Sequence, residues 1–261
     1  MSPPAETRVA GCLALALALM GGWHDAARAG SGRSAPHIPL VHLSRSDAWY
    51  GLAAAAGVGA LGFADRGLRE RAIASDGAGA RRLARVGRAL GAPEVLGSAF
   101  LLAYVGGRVL DHPGFAAASG RVGVSVAVAG VADGALKLAV GRVRPVDSAE
   151  ESDQYQPFSG QVSFPSGHTA LAFATAAALD CETTASWVPW VVYPLAGLVG
   201  WSRVRDDRHW TSDVAAGAAL GFWAARKTEH ALRLRSERRG RLGVLLGHDG
   251  RHVRLGMRLS Y

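Results

Sequence analysis

The sequence predicts an all-α protein: a helical bundle of about six apolar helices, embedded in a membrane, with a small β-hairpin at its C-terminal end. Two observations carry the bundle. Apolar runs recur at 48–64, 95–109, 122–140, 169–179, 187–201 and 214–225. Hydrophobic residues make up 49% of the 261 positions and charged ones only 19%, which is apolar for a soluble domain. A third observation, the abundance of Ala and of Gly (34 residues), favours close helix approach as in membrane bundles.

In chain order, the first 29 residues have the make-up of a signal peptide or N-terminal anchor. Arg8 precedes an apolar core, and Ala27-Arg28-Ala29 is a small-x-small cleavage sequence. Cleavage would leave Cys181 as the sole cysteine and no internal disulfide. Residues 31–47 contain Pro36 and Pro39 and read as irregular. Between the first two apolar runs, the arginine-rich stretch 65–88 has the spacing of one amphipathic helix lying on a surface. Trp187, Trp190, Tyr193 and Trp201 bracket the fifth run as interfacial aromatics would. Several runs are nearer fifteen residues than the roughly twenty a bilayer needs, so a soluble periplasmic bundle is the alternative. Residues 227–241 read as a basic helix stopped by Gly240. Two apolar-containing runs then flank His248-Asp249-Gly250, a hairpin signal. The resulting division is 1–29 leader or anchor, 30–228 helical domain, and 229–261 basic tail with hairpin.

The net charge of +8 and pI near 10.3 suit anionic headgroups or phosphorylated substrates. Nucleic acid is excluded as a partner, because no basic stripe interleaved with aromatics accompanies the charge.

Chemistry concentrates in three stretches. Residues 202–213 read Ser-Arg-Val-Arg-Asp-Asp-Arg-His-Trp-Thr-Ser-Asp, placing His209 and Asp213 four apart at a helix start. A carboxylate there can hold one imidazole nitrogen as donor and leave the other bare to attack. A surface ion pair is the plain alternative. Residues 137–145 gather Lys137, Arg142 and Arg144 before Pro145, where the helix is expected to stop. Residues 164–169, Phe-Pro-Ser-Gly-His-Thr, open a helix with Ser166 and Gly167, whose backbone N–H groups suit a phosphate. His168, beside that anion, could give a proton to a leaving oxygen. As structural alternatives, Lys137 could pair with Asp133, and Arg203 with Asp206 or Asp207.

Taken together, the stretches resemble the type 2 phosphatidic-acid phosphatase family, whose wider superfamily includes bacterial class A acid phosphatases and vanadium haloperoxidases. The family pattern is Lys, six residues, Arg-Pro; then Pro-Ser-Gly-His; then Ser-Arg, five residues, His, three residues, Asp. Lys137, Arg144 and Pro145 fill the first part, Pro165 to His168 the second, and Ser202, Arg203, His209 and Asp213 the third. The resemblance implies a metal-independent phosphatase with no cofactor and no metal ligands. His209 would form a phosphohistidine, Asp213 orient it, and His168 protonate the leaving group. Lys137, Arg144, Ser166, Gly167 and Arg203 would bind the phosphoryl oxygens, or vanadate in their place. Arg142 lies off the pattern and reads as facing headgroups or solvent. Asp207 stands where many bacterial members have Gly.

The implied substrates are lipid phosphates: phosphatidate, phosphatidylglycerol phosphate, polyprenyl diphosphate or lipid A phosphates. The implied location is the bacterial inner membrane with the site facing the periplasm. A soluble periplasmic acid phosphatase, a vanadate-dependent haloperoxidase and a non-catalytic envelope anion-binding protein are the alternative functions.

Overall fold

A computed structural model describes residues 44–148, 152–240, 242–248 and 253–259. The leader expected at 1–29 lies outside them. Eight helices follow in order: α1 (Arg45–Gly62), α2 (Asp65–Ala74), α3 (Ala78–Leu90), α4 (Pro93–Val109), α5 (Pro113–Val140), α6 (Gly167–Glu182), α7 (Val188–Arg205) and α8 (Thr211–Gly240). The six apolar runs fall in α1 and α4 to α8. The arginine-rich stretch forms α2 and α3 instead of one helix, broken at 75–77, and it does not simply lie on a surface. Ala84 and Gly87 are buried in it, and a Cβ at Gly87 would sit 2.7 Å from the Leu198 carbonyl of α7.

Local chemistry sets the helix ends. Ser44 and Asp47 form a capping box at the start of α1, and Asp47 also accepts from Trp223 Nε1 (3.0 Å) and Lys227 Nζ (2.5 Å) of α8. Pro93 and Pro113 occupy the first turns of α4 and α5. α5 ends at Val140, short of Pro145, because Gly141 takes a left-handed C-cap at φ +59°. A side chain there would also strike the Gln156 carbonyl at 1.9 Å. Lys137 therefore sits on the helix, while Arg142 and Arg144 lie in the loop that follows.

α6 is the central helix, packed against α5, α7 and α8. Ala170, Ala172, Ala174, Ala176, Ala177 and Ala178 are all buried in it. On one side they meet Val122, Val126 and Ala129 of α5 and Ala224 and Ala225 of α8. On the other they meet Ala196 and Val199 of α7. Alanines bury little area each, so cohesion comes from close backbone approach, which glycines extend. A Cβ at Gly217 of α8 would lie 2.5 Å from the Ser166 carbonyl, and one at Gly221 would lie 2.0 Å from the Ala170 carbonyl.

α8 runs unbroken through residue 228 to Gly240. Beyond it, β1 (Leu242–His248) pairs antiparallel with β2 (Val253–Leu259), in a register that sets Leu242 opposite Leu259 and His248 opposite Val253. Among the described residues one helix, α5, is long and apolar enough to cross a membrane; α3 and α4 pass the same test only together, with a 55° bend between them.

Candidate active site

Three segments converge at one end of α6. The backbone N–H of Ser166, at the α6 N-terminus, donates to the Asp213 carbonyl in the first turn of α8 (3.0 Å). Gly167 abuts α5, where an added Cβ would lie 2.8 Å from Asp133 Oδ2 and 3.6 Å from Lys137 Cε. Lys137 Nζ is 3.2 Å from Asp133 Oδ2 and also donates to the Pro165 carbonyl. The pairing of Lys137 with Asp133 and its place beside the Pro-Ser-Gly-His segment are thus both real.

His209 is 4% exposed, and its Nδ1 lies 2.7 Å from the Ser163 carbonyl oxygen. A carbonyl can only accept, so Nδ1 carries the proton and Nε2 keeps its lone pair. Asp213 Oδ2 stands further off, 3.8 Å from Nδ1. Its carboxylate is occupied elsewhere: Oδ1 accepts from Arg142 Nη1 (2.6 Å), and Oδ2 accepts from Ser163 Oγ (2.6 Å) and Trp210 N (2.9 Å). Asp213 thus reaches His209 largely through Ser163, whose hydroxyl it binds and whose carbonyl binds the ring. Burial, opposed by Asp213 and reinforced by Lys137 and Arg144, pushes the His209 pKa down to about 4. The ring is neutral at pH 7, as a nitrogen nucleophile requires.

Around it stand cations with unspent donors. Arg144 Nε and Arg203 Nε and Nη1 are buried without a hydrogen-bond partner among the described residues. Arg203 keeps only a loose pairing with Asp206 (3.6 Å). Burial and the nearby Arg208 both lower the Arg144 pKa. Buried guanidinium donors are rarely left empty, and a phosphoryl group supplies matching acceptors. Ser166 is fully buried; its hydroxyl accepts from Thr169 Oγ1 (2.9 Å), leaving its own proton to donate. His168 is pushed down to about 3 by burial and then by Arg203, His209, Lys137 and Arg144. A dianion among these cations would reverse much of that shift and make His168 a proton donor.

Arg142 corrects the sequence reading. It faces neither headgroups nor solvent: it is 2% exposed and lies at the centre of a buried ionic network. Nη2 donates to Asp65 Oδ2 (2.8 Å), Nη1 to Asp213 Oδ1 and Ser212 Oγ (2.7 Å), and Nε to the Ser152 carbonyl (2.9 Å). Its guanidinium also lies 5.5 Å from the Trp210 ring centroid. Asp65 of α2, fully buried, accepts from Ser212 N as well (2.8 Å). Asp65, Ser163 and Trp210 were not signalled by the motifs. The departure at Asp207 has a backbone reason: φ is +58°, the left-handed region where Gly is the default and Asp is tolerated. Arg69 of α2 secures that residue through two bonds of 2.5 and 2.8 Å.

A family model described as PAP2 superfamily matches residues 118–234. A lipid A 1-phosphatase of Porphyromonas gingivalis is 35% identical over 128 residues, 47% of this chain and 26% of that protein. An undecaprenyl-diphosphatase of Sulfolobus acidocaldarius is 34% identical over 101 residues, 38% of this chain and 48% of that one. The matches thus span from about a quarter to a half of these curated relatives. Among solved structures, a transmembrane PAP2-type phosphatidylglycerolphosphate phosphatase of Bacillus subtilis aligns with a TM-score of 0.51 at 19% identity, covering 72% of this chain and 94% of that one. The family match, a little under half of this chain, includes Lys137, His168 and His209, and the fold is in common with that solved phosphatase.

Proposed function

We propose that this protein is a metal-independent phosphatase that hydrolyses lipid phosphates through a phosphohistidine on His209. The observation that carries the reading is a buried neutral imidazole, its Nδ1 fixed by the Ser163 carbonyl, beside the unpartnered donors of Arg144 and Arg203. In the first step Nε2 of His209 attacks phosphorus, the P–N bond forms and the P–O bond to the alcohol breaks. His168 gives its proton to the departing oxygen. Charge building on the phosphoryl oxygens is met by Lys137, Arg144, Arg203, the Ser166 hydroxyl and the Gly167 amide. In the second step neutral His168 takes a proton from water, whose oxygen attacks phosphorus; the P–N bond breaks and inorganic phosphate leaves. Asp213 and Arg142 stabilise the segment that carries the nucleophile.

Support for a lipid substrate comes from the surface as well as from the relatives. Among the described residues Trp49 and Leu52 on α1, Leu102 and Val109 on α4, Trp190 on α7 and Trp187 just before it are all more than half exposed, as large apolar side chains facing lipid would be. With α5 able to span, the fold fits a bilayer whose lipids supply the substrate. The outer face of a bacterial inner membrane is the location that the family resemblance implies for the site.

The test is phosphate release in EDTA by the detergent-extracted protein, comparing phosphatidate with a soluble aryl phosphate, alongside His209→Ala. Turnover that favours the lipid and falls at least a thousandfold in the variant is expected. Near-normal release by His209→Ala would sink the phosphohistidine, and a preference for the aryl phosphate would sink the lipid assignment.

A further inference from the structure

We propose that a second phosphoryl group binds in an arginine-lined cavity beside the catalytic pocket. The cavity has a volume of about 460 Å³ and is lined by Arg81, Arg82, Arg85 and Arg88 of α3 together with Arg205 and Asp206. Ala78 completes the lining at the start of α3. The inference rests on the reading of the main site as a phosphatase centre, and it extends that reading to what lies next to the reacting phosphate.

Charge is the first observation. Five guanidinium groups face one carboxylate in the lining. Asp76, just outside it, pairs with Arg81 (3.0 Å) and Arg205 (3.1 Å), and Asp206 pairs with Arg88 (2.8 Å). Arg82 and Arg85 have no ion-pair partner among the described residues, and both are exposed. So many like charges in one concavity repel each other unless an anion joins them, and planar guanidinium groups match phosphoryl oxygens two at a time.

Position is the second observation, and it is independent of charge. Gly91, the residue that caps α3, has its backbone against the catalytic segment: an added Cβ would lie 3.1 Å from the His168 carbonyl and 3.3 Å from His168 Cβ. Arg88 stands less than one turn before it. Asp206 links the two sites, since one carboxylate oxygen, Oδ2, lies 2.8 Å from Arg88 Nη1 and 3.6 Å from Arg203 Nη1. From Arg88 to Arg81 the helix rises about 10 Å. The arginines therefore form a ladder leading away from the catalytic centre, at the reach of a second phosphate on the same headgroup or of a phosphate on an adjacent lipid.

The test uses the full chain in neutral detergent and the variant Arg82→Ala/Arg85→Ala, which removes two exposed side chains and should fold. Three substrates are compared: phosphatidate, phosphatidate in micelles containing phosphatidylglycerol, and a glucosamine-disaccharide lipid carrying two separated phosphates. If the second group belongs to the substrate, kcat/KM for the bisphosphate relative to phosphatidate falls about tenfold in the variant, through KM. If it belongs to a neighbouring lipid, the variant instead loses the activation of phosphatidate hydrolysis by phosphatidylglycerol. Either result supports the site; identical ratios in wild type and variant overturn it. Titration calorimetry with inorganic phosphate is independent of turnover. It should count two sites in the wild type and one in the variant, and a single site in the wild type also overturns the proposal. Two titratable sites without turnover on any lipid would instead refute the phosphatase reading and leave this one standing.

Discussion

Replacing Gly217 by alanine tests whether the spacing of α6 and α8 sets the catalytic geometry. The two helices divide the proposed chemistry: α6 begins with the Ser166–His168 segment, while Asp213 lies in the first turn of α8, four residues after His209. At Gly217 an added Cβ would meet the Ser166 carbonyl at 2.5 Å, whereas ordinary contact begins near 3.4 Å. The helices must therefore part locally by about 0.9 Å, one turn from the bond between Ser166 N and the Asp213 carbonyl. Overpacking of this kind costs about 1–3 kcal/mol, and a misplacement near 1 Å at a reacting centre costs on the order of a hundredfold in rate. Gly217→Ala should thus remain folded, lose a few degrees of Tm, and lose about a hundredfold in kcat on phosphatidate. The control is Gly197→Ala in α7, where an added Cβ meets nothing within 4 Å and activity should stay near that of the wild type. A folded Gly217→Ala protein within threefold of the wild-type kcat would refute the argument.

Three further outcomes follow from the buried network and the histidines. Asp65→Asn replaces a carboxylate that accepts from Arg142 and Ser212 by an amide with one acceptor, leaving Asp213 as the arginine's remaining counter-charge and one buried donor unsatisfied; a loss of about 1–3 kcal/mol is expected in denaturant unfolding. A loss below 1 kcal/mol would show the network to be dispensable. Ser163→Ala deletes the hydroxyl on Asp213 Oδ2 but keeps the carbonyl that holds His209, so kcat should fall roughly tenfold while stability drops about 1–2 kcal/mol; abolition of activity would contradict the carbonyl's role. For pH, His209 has a folded pKa near 4, below its unfolded value of 6.5. The unfolded state binds its proton first, so this contribution is complete above pH 6.5 and is lost as pH falls through 4. It amounts to about 3 kcal/mol. A Tm series from pH 7.5 to 4 should therefore slope downward, and His209→Gln should make it shallower, the slope that remains coming from His168, whose pKa is also depressed; equal slopes would argue against the depressed pKa of His209.

Much of the helical architecture was legible because apolar runs mark its helices, whether or not those helices are buried: the six runs fall in six observed helices, overrunning their ends by no more than two residues. The motif residues were legible because their spacing brings Lys137, the 165–168 segment and the His209–Asp213 turn to one end of the bundle. What escaped was non-local or carried by backbone. Arg142 meets Asp213 and Asp65 across 71 and 77 positions of sequence, and an arginine next to a motif gives no local sign of burial. The acceptor for His209 is a peptide carbonyl, which any residue type would supply. Pro145 suggested where α5 should stop, but Gly141 ends it earlier because only its missing side chain fits beside Gln156. The break at 75–77 interrupts a charge pattern that is continuous in the sequence.

Asp65 belongs to α2, more than fifty positions before the segment that the family match covers. The matched segment 118–234 is thus not a self-contained cassette. A chimera that moved it into another bundle would carry Arg142 and Asp213 but leave behind one of the two carboxylates that neutralise that arginine. The helices upstream of the match are then heritable together with the motifs. Relatives that keep an arginine at position 142 are expected to keep an acid at the start of α2, and those that lose one should lose the other.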